Sequence, residues 1–150
     1  MIIDDFLGPD DVLVALRAAN KRSLLDTLAR RAAGSLGLAS EDVLAALLRR
    51  EELGSTGVGE GVALPHARLD AIRHPHGVLA RLREPIDFGA VDDRPVDLVF
   101  LLLQPAASSA DPLNALASIA RRLRDRDAAA AMRKARDAAA LHALMREDLS

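Results

Sequence analysis

The stretch "GSTGVGEGVALPHARLD" (Gly54–Asp70) sets four glycines within eight residues and follows them with Val-Ala-Leu-Pro-His. Pro65 fixes its own φ, removes a backbone donor and holds Leu64 extended, so Val62–Leu64 reads as a short strand ending at the proline. In open α/β sheets ligands gather beyond the carboxyl ends of strands, which is where His66 would lie. Gly54, Gly57, Gly59 and Gly61 permit positive φ and leave backbone N–H groups able to cradle an anion. Ser55 and Thr56 add hydroxyls, and Arg50, just upstream, adds a permanent charge on a planar fork suited to phosphate oxygens. The same residues also read as a plain structural turn. The rest of the chain has to separate the two.

Upstream, Val12–Ala18 is short, branched and apolar, and predicts a first strand after the Gly8-Pro9 turn. A helix opens near Asn20, with Leu24, Leu25, Leu28, Ala29 and Ala32 on one face, and Gly34 and Gly37 mark its end. Ser40 is the expected N-cap of a second helix running to about Glu52, with Glu41 and Asp42 at the positive end of its dipole. Downstream, Gly77–Leu82 and Val96–Gln104 predict strands. The second is apolar at both alternating sets of positions, as a strand buried between two layers would be. The turn formers fall in "EPIDFGAVDDRPVD", and "AASSA" (106–110) is a loop candidate. The last third predicts helices: Asp111-Pro112 supplies a cap and a proline at the first helical position, and Asp127 and Asp137 are expected caps of two further helices. Strands and helices in this order predict an α/β layered fold.

Composition narrows the function. A chain of 150 residues, half of them hydrophobic, is expected to form one domain, residues 1–150, burying roughly 68–70% of its unfolded surface. Three phenylalanines with no tryptophan or tyrosine give a core of Leu, Val, Ile and Ala, and no set of aromatics for stacking bases. With a net charge of −2 and both signs interspersed, there is no electrostatic footprint for nucleic acid. The absence of cysteine excludes disulfides, thiol chemistry and Cys-ligated zinc. "MIIDDFLGPDD" carries acids where a signal peptide needs positive charge, and the longest apolar run, "LVFLLL", falls far short of the roughly 20 residues that span a bilayer. The expectation is a cytoplasmic protein without membrane insertion.

The chemistry-bearing candidates are the four histidines. His142 lies in an amphipathic helical pattern with no partner motif and reads as packing. His74 and His76 flank Pro75, and H-x-H can bind zinc. A third ligand would have to come from His66 or Asp70, without a recognisable spacing. His66 has the glycines, the hydroxyls and Arg50. That set suits a phosphoryl group carried on a nitrogen: neutral imidazole, with an ordinary pKa of about 6.5, is a nucleophile near neutrality. Transfer between nitrogens passes through a loose, charge-dispersed transition state in which positioning and electrostatics supply the catalysis. No Gly-Lys-Ser/Thr follows the glycines, so this is not a Walker A loop.

"RREELGSTGVGEGVALPHARL" (Arg49–Leu69) closely resembles the phosphorylation-site signature of enzyme IIA domains of the bacterial phosphotransferase system. The match is to the fructose/mannitol class and, within it, the nitrogen-regulatory branch. The similarity continues through "RLREPIDFGAVDDRPVDLVFLLLQP" and "LNALASIARRLRD". A free-standing domain with no attached membrane or IIB segment favours the nitrogen-regulatory branch over a sugar permease component.

The resemblance implies a single mixed β-sheet flanked by helices. It implies that His66 accepts phosphate from a phosphohistidine on a small HPr-like carrier and that Arg50 stabilises it; with the reading of the residues above, Ser55, Thr56, Gly57, Gly59 and Gly61 are the expected wall of the phosphate pocket. It also implies regulatory target proteins that respond to the phosphorylation state, and no metal or organic cofactor. An apolar rim for docking is expected from Val58–Leu64. One residue departs from the pattern. The family carries a second histidine near the start of the helix after the "FLLL" strand, and Pro112 stands there. Losing one hydrogen bond to a charged group costs roughly 1.5–3 kcal/mol, which weakens phosphorylation without forbidding it. A phosphorylation-impaired interaction module of the same fold is therefore the alternative.

Overall fold

A computed structural model describes residues 3–107 and 112–146, with the side chains of 112 and 113 excepted. Two 3-10 turns (Ile3–Asp5 and Pro9–Asp11) lead into β1 (Val12–Leu16), α1 (Lys21–Leu36) and α2 (Ser40–Glu52). Then come β2 (Gly57–Gly59), β3 (Val62–Ala63), β4 (His66–Leu69), β5 (His76–Ile86) and β6 (Val96–Pro105). The chain continues as α3 (Pro112–Arg124), α4 (Arg126–Lys134) and α5 (Ala138–Arg146).

The six strands form one mixed sheet in the order β1-β5-β6-β3-β2, with β4 also paired to β6. β5 and β6 run antiparallel at its centre, while β1 pairs parallel with β5, and β3 and β4 pair parallel with β6. Nine of the ten β6 residues are buried, because the strand serves two layers at once. Val99, Leu101 and Leu103 pack with Leu24, Leu25, Leu28, Val43 and Leu47 of α1 and α2. Leu98, Phe100 and Leu102 point the other way, to Ile119, Leu123, Met132, Leu141 and Met145 of α3–α5. The period-2 alternation of strand side chains divides one apolar run between two cores. Each fully buried Leu, Val or Phe contributes about 1.5–3 kcal/mol.

Local signals account for most element ends. The Asn20 side chain accepts from Ser23 N at 2.9 Å, and Ser23 Oγ in turn accepts from Asn20 N at 3.1 Å, a capping box that starts α1. Gly37, at φ +71, closes that helix; Gly34 lies inside it. Ser40 is the first residue of α2 rather than its cap: Ala39 holds the cap position with no side-chain bond, so the acidic first turn must serve instead. Asp125, not Asp127, caps α4, accepting from Ala128 N at 2.9 Å. Asp137 accepts from Ala140 N at 2.8 Å at the start of α5. The expected cap at Asp111 and most of the 106–110 loop lie outside the described residues.

The larger surprise is on either side of Pro65. The glycine stretch is a tight hairpin, β2–β3, whose two-residue loop Glu60-Gly61 has φ of +58° and +80°. Positive φ at both central residues is what a hairpin matching the strand twist requires. Beyond Pro65 the chain becomes a strand again. β4 continues along the same edge of β6, pairing His66 with Leu102 and Arg68 with Gln104. Pro65 interrupts the ladder by lacking an N–H, while its own carbonyl still accepts from Leu102 N at 3.0 Å.

Candidate functional site

His66 is thus the first residue of a strand rather than a loop residue past the end of one. Its ring is held at both nitrogens. Nδ1 lies 2.7 Å from the carbonyl oxygen of Leu64. A carbonyl can only accept, so Nδ1 carries the proton and Nε2 keeps the lone pair. Nε2 in turn accepts from the Arg50 Nε–H at 3.3 Å. Arg50, in the last turn of α2, is anchored by Nη1 donating to Gly54 O at 2.9 Å.

Neighbouring Glu51 turns the opposite way and fixes the loop that follows. Its carboxylate accepts from Thr56 N at 3.0 Å and Thr56 Oγ1 at 2.5 Å, and pairs with Lys21 Nζ at 2.8 Å. Lys21 also sits over the Phe88 ring, 4.4 Å from its centroid. Ser55 Oγ donates to Phe88 O and accepts from Gly57 N, both at 3.0 Å. A Cβ on Gly57 would come within 2.8 Å of Ala90 Cβ, and one on Gly61 within 2.7 Å of Arg133 Nη2. These glycines make room for close neighbours on the far side of the hairpin.

His66 opens into a cleft of about 530 Å³ between α2, β4 and α3. Among the described residues its lining is Ala46, Arg49, Arg50, Leu53, His66, Ala67, Arg68, Gln104 and Leu116. The fold therefore brings His66 and Arg50 together, whereas Ser55, Thr56, Gly57, Gly59 and Gly61 do not line this cleft. The apolar rim also differs from expectation. Val62, Ala63 and Leu64 are core residues, and the exposed apolar side chain at the cleft is Leu53, 84% accessible. Arg49, Arg68 and Gln104 were not anticipated. The signal for Arg68 was present: it stands two places after His66 and shares its strand face, which becomes legible only once the chain is known to resume as a strand.

α3 begins at Pro112, whose side chain lies outside the described ones. Among the described α3 side chains Leu116 reaches the cleft; Asn114 and Ser118 do not line it. The remaining histidines serve elsewhere. His142 Nε2 lies 3.1 Å from Leu7 O, and His74 is exposed. His76 Nε2 faces buried Asp11 at 3.3 Å, and burial, partly offset by that carboxylate, lowers its pKa below 6.5. His66 and His76 pair with β6 along opposite edges. Among the described residues no three His, Asp or Glu side chains gather as a metal site would need.

Residues 5–148 match the family described as phosphoenolpyruvate-dependent sugar phosphotransferase system, EIIA 2. The chain belongs to the EIIA 2 family. Within that family it is 47% identical over 145 residues to a nitrogen regulatory protein of Bradyrhizobium diazoefficiens, covering 97% of this chain and 95% of that protein. Among solved structures, the nitrogen regulatory protein IIA-Ntr of Neisseria meningitidis superposes with a TM-score of 0.91 at 29% identity, covering 95% and 98% of the two chains. The mannitol enzyme IIA of Escherichia coli, solved in complex with phosphorylated mannitol enzyme IIB, shares the EIIA 2 fold with a TM-score of 0.77 at 19% identity, over 92% of this chain and 95% of its own. No helix among the described residues of this EIIA 2 chain is long and apolar enough to cross a membrane.

Proposed function

We propose that this chain is a nitrogen-regulatory enzyme IIA that accepts a phosphoryl group on Nε2 of His66 from the phosphohistidine of an HPr-like carrier protein. The observation that carries the reading is the state of the His66 ring: a proton pinned on Nδ1 by Leu64 O, and a lone pair on Nε2 facing a cleft rimmed by arginines. In the transfer, the Nε2 lone pair forms the new P–N bond as the donor's P–N bond breaks. The donor ring, protonated at its other nitrogen, leaves as neutral imidazole with the bonding pair. The His66 ring keeps its Nδ1 proton and gains one positive charge, which the Leu64 carbonyl stabilises. Atoms and charge balance without a metal or organic cofactor.

Arg50 guards the ground state and then serves the product. Before transfer its Nε–H holds the nucleophilic nitrogen in place; once Nε2 is bonded to phosphorus, that donor is free to turn to a phosphoryl oxygen. Preorganised donors of this kind act on the dispersed charge of the loose transition state. The added phosphoryl charge of about −1.5 to −2 offsets much of the positive character of an arginine-rimmed cleft, and that change is how the phosphorylation state would govern binding to cytoplasmic regulatory targets.

The test is incubation with phosphoenolpyruvate, the first enzyme of the system and the carrier. Wild type is expected to gain an acid-labile, alkali-stable phosphate, and His66→Ala to gain none. Failure of wild type to take phosphate rejects the carrier reading and leaves the phosphorylation-impaired interaction module, which Pro112 at the start of α3 supports. Retention of label by His66→Ala rejects the site.

A further inference from the structure

A phosphoryl group on His66 would present three strong acceptor oxygens, and Arg50 alone is poorly placed to satisfy them. Part of its guanidinium is occupied with Gly54 O, so the edge released from Nε2 is what remains. The cleft floor offers little else, since Ala46, Leu53, Ala67 and Leu116 provide apolar surface, against which an unpaired anionic oxygen is costly.

Among the described residues no aspartate or glutamate lines the cleft, and its two other cations are Arg49 and Arg68. They are not equivalent. Arg49 precedes Arg50 on α2, so its side chain leaves the helix about 100° away from the one that meets the imidazole. Arg68 stands two residues after His66 on β4, and alternate residues of a strand share a face at a spacing of about 6.6–6.8 Å. The parallel register carries this through: His66 lies opposite Leu102 and Arg68 opposite Gln104, which is itself buried and lines the same cleft. Arg68 is exposed and makes no ion pair among the described residues.

We propose that Arg68 is a second catalytic cation of this site, its guanidinium hydrogen-bonding phosphoryl oxygens on the side of the group away from Arg50. The inference rests on His66 being the phosphoryl acceptor. Arg68 takes no part in bond making: the donor's P–N bond breaks, the Nε2–P bond forms, and the Nδ1 proton stays in place. It stabilises charge on the transferring oxygens, which a planar, permanently charged fork does better than an ammonium.

The experiment measures transfer from the ³²P-labelled carrier to wild type, Arg68→Gln, Arg68→Lys and Arg49→Gln, with folding checked by circular dichroism. It also follows the ³¹P resonance of each phosphoprotein against pH. Arg68→Gln is expected to slow transfer about tenfold, the scale of one charge-assisted hydrogen bond, and Arg68→Lys to recover part of the loss. The last ionisation of the phosphoryl group should move up in Arg68→Gln, because a neighbouring cation that favoured the dianion has gone. A merely structural arginine would leave that ionisation unmoved. Unchanged transfer and titration in Arg68→Gln would overturn the proposal while leaving His66 as acceptor. So would an equal loss in Arg49→Gln, which would make the cleft's general positive field responsible. If wild type takes no phosphate, the carrier reading fails and this inference fails with it.

Discussion

Replacing Arg50 by glutamine separates the chemical role of that side chain from its structural one. The structure gives it two bonds: Nη1 to Gly54 O at 2.9 Å and Nε to His66 Nε2 at 3.3 Å. The first is a loop contact on a half-exposed side chain, worth about 0.5–1.5 kcal/mol, so the variant should fold. Under the proposed function, the second turns into a charge-assisted bond to the phosphoryl group during transfer. Losing such a bond costs about 1.5–3 kcal/mol, which at 1.36 kcal/mol per tenfold predicts transfer slower by about 10- to 150-fold. Arg50→Lys should fall between, since it keeps the charge and loses the fork. The assay is the initial rate of label movement from phosphorylated carrier, beside a urea titration of each variant. Imidazole ¹⁵N shifts give an internal control. Leu64 O, not Arg50, pins the Nδ1 proton, so the tautomer should survive in Arg50→Gln. Wild-type rates in the variant, or a proton moved to Nε2, would refute the reasoning.

Glu51→Gln removes the charge that holds Lys21 and the Thr56 amide and hydroxyl, and should destabilise the fold by about 2–4 kcal/mol in urea unfolding. Gly61→Ala forces a side chain at φ +80° against the guanidinium of Arg133, which is itself bound to Asp97 and Glu60 O. A loss of about 1–3 kcal/mol is expected, and a neutral result would mean the hairpin turn is not held as described. His76 sets a pH dependence. Burial, the larger influence, opposed by Asp11, lowers its pKa in the folded chain below 6.5, so the unfolded chain binds that proton first. Its contribution to stability is complete above pH 6.5 and declines as pH falls below it, so wild type should lose more stability than His76→Gln between pH 7.5 and about 5.5. A gain on acidification would mean that the pair with Asp11 outweighs burial.

Much of this protein was determined by sequence alone, because the signals concerned are local. The apolar run Leu98–Leu103 has no polar face, so it had to be a strand buried on both sides. Asn20 with Ser23 at the start of α1, and Gly37 at its end, act within a few residues and could be read one at a time. The motif around Pro65 and His66 was long enough to carry the family. Arg50 and His66 were legible as partners through that motif, although 16 positions separate them.

What tertiary structure decided was direction. Four glycines before a histidine are equally a cradle for an anion or a hairpin bent under its neighbours. The hairpin is packed against Ala90, Asp92, Asp97 and Arg133, which arrive from distant segments and take up the space beside the glycines, the Glu60 amide and the Glu60 carbonyl. The edge of β6 decided that the chain after Pro65 is a strand again, because only an open ladder alongside it rewards extended backbone there. That pairing sets His66 and Arg68 on one face, and α3 closes over it with Leu116. The stretch Gly54–Asp70 thus places His66 against Arg50 of α2, nitrogen to nitrogen at 3.3 Å. Its glycines fold into a hairpin that does not line the cleft, and Arg68 does line it, a placement that depends on the pairing of β4 with β6.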